Sequence, residues 1–271
     1  MAANLQKEDL DVDVRPFGQG RPVLFLHGLG LDRRQWDEEM NFLEGKRPAA
    51  ALSLPGQGNS KRPEEPLTIT YLAASVRQWL EHKKWSSVHI VGCSLGGLVA
   101  WELAEQRPEL VASILTFGSA PKLTYPSLLV QPAAWLMDWW LAGNNPEKYA
   151  AMGAKGASKD AETQERLQRA FGTAARQWRQ SLYELRCAIG SYDYVPFLQT
   201  TNVPTLLVRA QHDSSVNKVI DRTRKRWGAN QRVYVTKMDN AGHVANWDRP
   251  EAFLAAMSHW VNEVELHGET E

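Results

Sequence analysis

The sequence predicts an α/β protein: a mostly parallel sheet with helices on both faces. Buried runs such as Val111–Phe117 alternate with helical segments of about a dozen residues, the pattern of parallel strands joined by crossover helices. A serine flanked by glycines, in Gly92-Cys93-Ser94-Leu95-Gly96, separates one such strand from the next helix. The alternation stops from about Lys122 to Gly190, where the residues predict several helices and no buried strand.

The individual elements follow from local signals. Residues 9–15 alternate polar and apolar, and Gly18–Gly20 turns the chain into the apolar run 22–26, which predicts an opening antiparallel hairpin. The later elements are predicted in this order: a helix capped by Asp32, a strand at 49–54, a helix capped by Thr68, a strand at 88–91, a helix at 95–106, strands at 111–117, 204–209 and 232–236, and a last helix at about 250–263.

The helical stretch divides the predicted domains. We expect a core made of residues 1–121 and 191–271 and a helical cap, or lid, made of residues 122–190. Open α/β sheets bind ligands at the carboxyl ends of their strands, and a helical insertion there is interpreted as a cap over that edge. Trp135 and Trp139 favour an apolar acyl pocket over a cap that only packs on the sheet.

Composition excludes several classes of protein. The 271 residues are 43% hydrophobic, and Lys+Arg and Asp+Glu both total 31, so no net charge draws the chain to nucleic acid or anionic membrane. Cys93 and Cys187 are the two cysteines; they predict buried thiols, with neither a disulfide framework nor a zinc site. Because a secretory signal and a membrane-spanning run are not apparent, we expect a cytoplasmic protein.

Ser94 is the candidate nucleophile. Its position between a strand and a helix is that of a nucleophile elbow, a tight turn that holds the hydroxyl clear of the backbone and leaves no room for side chains at Gly92 and Gly96. Leu95 follows at a helix N-terminus, where an unpaired N–H favours a developing negative charge. The competing interpretation is a glycine-rich turn with an inert serine.

A second backbone donor is predicted from His27-Gly28-Leu29-Gly30, which follows a buried strand. A glycine-rich loop there brings a backbone N–H close to a substrate oxygen, and Leu29 is the candidate. An ordinary strand-to-helix turn is the alternative. Gly28 and Trp36 are candidates for contacting substrate, although core packing is the first expectation for Trp36.

A serine needs a base, and the base needs an acid to hold its tautomer. His243 lies in a loop between the last strand and the last helix, so it is the candidate base. Asp213 follows strand 204–209 and is the candidate acid, with Asp193 and Asp239 as weaker rivals. The order Ser94, Asp213, His243 is that of one serine hydrolase fold among the three with this triad geometry.

These motifs resemble those of the α/β-hydrolase superfamily over about residues 9–264. The resemblance implies an eight-stranded sheet, a helical lid, Ser94 as nucleophile, His243 as base, Asp213 as its partner, and oxyanion donors at Leu29 and Leu95. Ser53 and Ala210 depart from the family pattern, which usually has an aspartate and a glycine there. The matching segments are Phe25–Gly30 with Trp36, Leu54–Ser60, Gly92–Gly97, the Asp213 loop and Asn240–His243.

The predicted reaction is hydrolysis of carboxylic esters through an acyl-enzyme, on small or medium apolar acyl substrates, with neither metal nor organic cofactor required. The general sequence is similar to small carboxylesterases and lactonases, including methyl ester esterases that act on carrier-protein-bound acyl chains. Ester, lactone and carrier-bound methyl ester therefore remain alternatives, as do perhydrolase, C–C hydrolase or lyase chemistry on the same triad. A slow-turnover receptor or scaffold is the alternative of another class.

Five arginines in the insertion bear on the partner. Their spacing by 3 or 7 residues places them on one face of an unbroken helix, which offers a docking surface for an acidic acyl carrier protein or a phosphate. Interspersed glutamates favour a solvated face instead, and Gly172 is a candidate helix break. These arginines are Arg166, Arg169, Arg176, Arg179 and Arg186.

Overall fold

A computed structural model describes residues 9–124 and 130–268 of the protein. In chain order its strands are β1 (Val12–Arg15), β2 (Val23–Leu26), β3 (Ala49–Leu52), β4 (Val88–Cys93), β5 (Val111–Phe117), β6 (Lys122–Thr124), β7 (Ser191–Asp193), β8 (Thr205–Ala210) and β9 (Val233–Met238). The helices are α1 (Asp37–Leu43), α2 (Ile69–Lys83), α3 (Leu95–Gln106), α4 (Val130–Asn144), α5 (Pro146–Ala157), α6 (Ala161–Gln177), α7 (Arg179–Ala188), α8 (Val195–Thr200), α9 (Ser214–Trp227), α10 (Ala245–Asp248) and α11 (Pro250–Gly268).

The main sheet has the order β1-β3-β2-β4-β5-β8-β9. Every neighbouring pair is parallel except β1 with β3, so the predicted α/β class with a mostly parallel sheet is confirmed. The implied count of eight strands is corrected to seven within the described residues. The short strands β6 and β7 form a separate antiparallel pair at the two ends of the helical insertion.

The predicted opening hairpin is wrong. β1 pairs antiparallel with β3, and β2 lies between β3 and β4. Burial explains the arrangement, because all four residues of β2 are buried whereas those of β1 are only half-buried. A strand that is apolar on both faces belongs inside the sheet, and the half-buried strand takes the edge.

Helices cover both faces of the sheet, as predicted. On one face α2, α3 and α9 contribute residues such as Leu72, Val99 and Ile220 to a buried cluster. On the other face α1 and α11 contribute Met40 and Phe253 to a second cluster. The parallel strands are thereby buried on both sides.

The predicted helix start at Thr68 is confirmed by its cap, whereas Asp32 caps a short 3-10 turn, Arg33–Trp36, that precedes α1. Thr68 accepts a hydrogen bond from the backbone of Tyr71 at 3.0 Å, and Asp32 accepts one from Arg34 at 2.9 Å. The predicted break at Gly172 is wrong, because α6 passes through it without interruption. The break comes at Trp178, so the five arginines are divided between α6 and α7.

The insertion contacts the loops at one edge of the sheet. Ala154 of α5 and Leu167 of α6 share a buried cluster with Leu31 and Val244. The carbonyl of Ala157 also accepts a hydrogen bond from the backbone of His243 at 2.7 Å. Among the described residues, no helix is long and apolar enough to cross a membrane.

Candidate active site

Ser94 joins β4 to α3 in a backbone conformation that few residues adopt. Its φ is 51° and its ψ −110°, outside the regions that suit an L-residue without strain. Its N–H donates to the carbonyl of Phe117 on the neighbouring strand at 2.8 Å, and Ser119 Oγ donates to the Ser94 carbonyl at 2.9 Å. The surrounding backbone therefore holds the strained turn in place.

The glycines around Ser94 are required by close backbone contacts. A Cβ atom added at Gly96 would lie 2.0 Å from the carbonyl oxygen of Leu26, and one at Gly92 would lie 2.6 Å from the amide nitrogen of Gly97. Strand β4 and helix α3 thus approach more closely than any side chain allows. Neither Gly92 nor Gly96 has room for a side chain, as expected from the sequence.

His243 and Asp213, separated by 30 residues in sequence, are hydrogen-bonded to one another. His243 Nδ1 and Asp213 Oδ2 are 2.7 Å apart, and the other carboxylate oxygen accepts from Ser215 Oγ at 3.0 Å. Burial raises the pKa of Asp213, but the interactions with His243, together with hydrogen bonds from Ser215 and the backbone of Val216, outweigh burial, and the net pKa is lowered. Asp213 is therefore ionised at neutral pH and suited to hold the imidazole with its Nε2 facing away.

The rival carboxylates have other surroundings. Asp193 accepts a hydrogen bond from Lys122 Nζ at 2.6 Å and another from the backbone of Val195 at 3.0 Å. Asp239 is exposed beside the His243 loop. Gly118, at the end of β5, was not singled out from the sequence; a Cβ there would lie 3.1 Å from the imidazole Cε1, so its glycine leaves the space that the ring needs.

The loop of Leu29 is fixed by side chains on both sides. The Gly28 N–H donates to Gln35 Oε1, and the Gly30 N–H donates to Gln57 Oε1, each at 3.0 Å. Gly30 has a φ of 78°, which glycine adopts without strain. The amides that flank Leu29 are therefore occupied by buried glutamines, and this arrangement orients the peptide between them.

His27 braces the same loop as a neutral imidazole. Its Nε2 accepts a hydrogen bond from the backbone N–H of Leu54 at 2.8 Å, so the proton is on Nδ1, which donates to the Gly28 carbonyl at 2.8 Å. Burial lowers the pKa of His27, and the hydrogen bond to Gly28 opposes that effect less strongly. His27 thus supports the loop and is distinct from His243, the candidate base.

A buried polar network extends from this loop into α1. Gln35 Nε2 donates to Asn246 Oδ1 at 3.3 Å, and Asn246 Nδ2 donates to Glu39 Oε1 at 3.2 Å. Burial raises the pKa of Glu39 to about 8, so Glu39 is largely protonated at neutral pH. The sequence reasoning missed all three residues, because their partners lie more than 200 positions apart in the chain.

A cavity of about 390 Å³ contains both Ser94 and His243 in its wall. Gly28 and Leu29 lie in the same wall, together with residues from α4, α5, α6 and α7. This volume falls within the range of small-molecule sites. Two distant loops and the serine therefore face the same cavity.

The tryptophans predicted to contact substrate have different surroundings. Trp36 is fully buried against Phe25, Phe117 and Phe253; it belongs to the core, and its candidacy as a substrate contact is corrected. Trp139 is partly exposed, and the Arg179 guanidinium stacks on its ring, 3.5 Å from the centroid. Trp139 is not among the residues that line the cavity. The side chain of Trp135 lies outside the described residues.

Cys93, beside the nucleophile, is a buried thiol as expected. Burial raises its pKa to about 12, against the opposing hydrogen bond of Gln35, so it stays protonated and unreactive. Cys187 is only partly buried. Within the described part of the chain, no group of three or more His, Cys, Asp or Glu side chains is placed to hold a metal ion.

Ser53 replaces the family's aspartate, yet a carboxylate is present at this position. Ser53 Oγ donates to Asp11 Oδ2 at 3.0 Å, and Asp11 pairs with Arg33 at 2.8 Å. Asp11, which lies next to the edge strand β1, therefore supplies the carboxylate that Ser53 lacks. Ala210 is buried, and its carbonyl accepts a hydrogen bond from the backbone of Asp213 at 3.1 Å.

These features define a serine-hydrolase arrangement on an α/β sheet, and the comparisons agree. A family model described as alpha/beta hydrolase fold matches residues 21–250. The chain therefore belongs to the α/β-hydrolase family, and the resemblance drawn from its motifs is confirmed.

Similar proteins include esterases and lactonases. A pimeloyl-[acyl-carrier protein] methyl ester esterase of Aeromonas hydrophila is 27% identical over 93% of this chain and 100% of its own length. A thermophilic esterase from Thermogutta terrifontis has a TM-score of 0.81 at 18% identity, over 94% of this chain and 93% of its own. An enol-lactonase from Burkholderia xenovorans has a TM-score of 0.77 at 19% identity, over 93% of this chain and 96% of its own.

Proposed function

We propose that the protein is a serine hydrolase that cleaves carboxylic esters through an acyl-enzyme formed on Ser94. The observation that carries the proposal is the strained Ser94 in the wall of the same cavity as His243, whose Nδ1 is held by Asp213. The carboxylic ester hydrolase class agrees with the relatives. In this mechanism His243 accepts the serine proton, and the amides of Leu29 and Leu95 stabilise the oxyanion.

His243 gives this proton to the alcohol, which leaves as the ester C–O bond breaks and the acyl-enzyme forms. Water then attacks the acyl-enzyme, with His243 again as base and as the donor of the proton to Ser94. In the same proposal residues 122–190 form a cap that closes the acyl side of the cavity, and residues 1–121 and 191–271 form the core. The contact of Ala157 with His243 supports a cap that is attached to the catalytic loop.

The test is hydrolysis of a short-chain nitrophenyl ester together with labelling by a fluorophosphonate. Ser94→Ala should lower kcat by about 10⁴- to 10⁶-fold and abolish labelling, because the nucleophile is lost while binding remains. Ser191→Ala is a suitable control, since Ser191 is an exposed residue of β7 outside the cavity wall. Full esterase activity in Ser94→Ala would refute the mechanism. Stoichiometric ligand binding without turnover or labelling would instead support a receptor.

A carrier-bound methyl ester is the second candidate, favoured by the Aeromonas relative. Charge pairing in the insertion opposes it: Arg166 pairs with Glu38, Arg169 with Glu165 and Arg176 with Glu147. A face whose arginines already have carboxylate partners attracts an acidic protein weakly. Faster turnover of a carrier-bound ester than of its free analogue, lost at high salt, would establish this candidate.

A further inference from the structure

The cavity wall carries one ion pair, between Arg186 of α7 and Asp138 of α4. Arg186 Nε and Nη2 both approach Asp138 Oδ2, at 3.2 and 2.5 Å. Both residues lie in the wall that also contains Ser94 and His243. An ion pair is therefore placed within the space where the substrate must bind.

This charged pair differs in polarity from the rest of the cavity wall. Its other side chains from the insertion are mainly apolar, among them Leu141, Met152, Phe171 and Ile189. Arg186 is the one arginine that the described cavity wall contains. A guanidinium is always charged, so Arg186 presents a fixed positive charge in this wall.

The Asp138 carboxylate is a displaceable partner. The side chains of Arg186 and Asp138 are 43% and 36% exposed, and pairs with this much contact with water contribute little to stability. A substrate carboxylate that reaches the guanidinium can replace Asp138, or share Arg186 with it, at small cost. Asp138 then marks the position where an anionic group of the substrate binds.

Of the two residues in the ion pair, Arg186 is the one suited to bind a substrate carboxylate. Its planar fork matches a carboxylate and is only weakly hydrated. The pKa of the neighbouring Tyr149 also depends more on Arg186 than on Asp138. Burial raises the pKa of its hydroxyl, the Arg186 charge opposes that rise, and the Asp138 charge has a smaller effect. The positive member of the pair therefore acts more strongly on the Tyr149 hydroxyl.

We propose that the site takes esters whose acyl chain ends in a carboxylate, and that Arg186 binds this carboxylate. The inference rests on the proposed esterase function and names a substrate class for it. Ser94 attacks the ester carbonyl, while the distal carboxylate is held against α7 and the apolar wall surrounds the methylene groups between them.

The experiment compares monomethyl esters of dicarboxylic acids, from succinate to sebacate, with uncharged methyl esters of matched length. The wild-type protein should show an optimum of length in the charged series. Arg186→Gln should lower the ratio of kcat/KM for charged over uncharged esters by about 10- to 30-fold, chiefly through KM, because a charge-assisted hydrogen bond is lost. Arg186→Lys should recover part of the ratio.

Arg176→Gln is the matched control, because Arg176 makes an equivalent pair with Glu147 between α6 and α5 outside the cavity wall. It should leave the charged-to-uncharged ratio unchanged. Asp138→Asn removes the carboxylate that competes with the substrate for Arg186 and should raise kcat/KM for the charged esters by about 2- to 5-fold.

A second measurement keeps the inference separate from the proposed function. Calorimetric binding of the half esters to Ser94→Ala should weaken by about 10-fold when Arg186→Gln is added. If no ester is turned over, the esterase proposal fails and this binding result alone decides the carboxylate site. A ratio or an affinity that does not depend on Arg186, or a preference for esters with an amino group, would overturn the inference.

Discussion

Glu39 is a buried carboxyl group that connects α1 to the loop of the proposed oxyanion donor. The sequence of hydrogen bonds runs from Glu39 through Asn246 and Gln35 to the Gly28 amide. Glu39 is 1% exposed, and its Oε2 has no hydrogen-bond partner among the described residues. Burying a carboxylate in this way is unfavourable, so Glu39 keeps its proton where an exposed glutamate would lose it.

Glu39→Gln should make stability less dependent on pH. The native pKa of Glu39 is about 8 against an ordinary value of 4.5, so the native state keeps a proton that the unfolded chain loses between these pH values. The wild-type free energy of unfolding should therefore fall as pH rises through this window and level off above it. The difference in free energy of unfolding between Glu39→Gln and the wild type should therefore shift in favour of the variant by roughly 2–4 kcal/mol from pH 5 to pH 8.

Urea unfolding at a series of pH values measures this difference. Glu38→Gln is the matched control, since Glu38 is the exposed neighbour on α1 and pairs with Arg166; it should change stability by less than about 1 kcal/mol. A gap between Glu39→Gln and wild type that stays constant with pH would mean that Glu39 is already ionised in the folded protein.

At the scale of elements, sequence signals located strands and helices but not all of their partners. Strand β5 and helix α3 have the predicted limits, since both depend on local apolar patterns. The pairing of β1 with β3 depends on burial of β2 and was missed. Helix α11 extends past the predicted Glu263, and there Glu265 pairs with His89 and Arg47, each at 2.9 Å. These contacts join residues far apart in sequence.

Gly96→Ala should disrupt the junction of β4 and α3. The added Cβ would lie 2.0 Å from the Leu26 carbonyl, and neither backbone segment can move without shifting a central strand. We expect a loss of about 3 kcal/mol or more in the free energy of unfolding. Gly172→Ala, where the nearest atoms are 3.4 Å away at the end of the Arg176 side chain, should instead be neutral or stabilising by up to about 1 kcal/mol.

Thermal unfolding of the two variants tests this contrast. Fluorophosphonate labelling of the folded fraction of Gly96→Ala adds a readout of Ser94 itself, because displacement of the turn should slow labelling more than it lowers folding. A Gly96→Ala protein with native stability and labelling would show that the close approach of α3 to β2 is not needed.

For the molecule as a whole, the insertion and the sheet meet at the loop of His243. The sequence placed Ser94, Asp213 and His243 by motif and order, since each follows a recognisable strand. It gave no signal for Ser158 and Asp248, which lie at the ends of α5 and α10. Asp248 accepts hydrogen bonds from Ser158 Oγ and from the Gly242 amide, each at 2.5 Å, so one carboxylate joins the insertion to the residue beside the proposed base.

Asp248→Ala should therefore affect stability and catalysis together. Loss of the carboxylate leaves the Gly242 amide and the Ser158 hydroxyl without their acceptor, which should cost about 1–3 kcal/mol of the free energy of unfolding. Because His243 follows Gly242 directly, its imidazole should lose its fixed position, and kcat should fall by about 10- to 100-fold. Asp248→Asn keeps one acceptor oxygen and should recover part of both losses.

Hydrogen exchange locates the effect, since faster exchange should appear together in residues 155–160 and 240–245. Asp221→Ala is the control: it removes an exposed carboxylate that pairs with Arg209 and should change neither kcat nor exchange in those segments. Faster exchange in the insertion alone, with kcat unchanged, would mean that the loop of His243 is held independently. The proposed coupling of the insertion to His243 through Asp248 would then be wrong, although the proposed triad would not be affected.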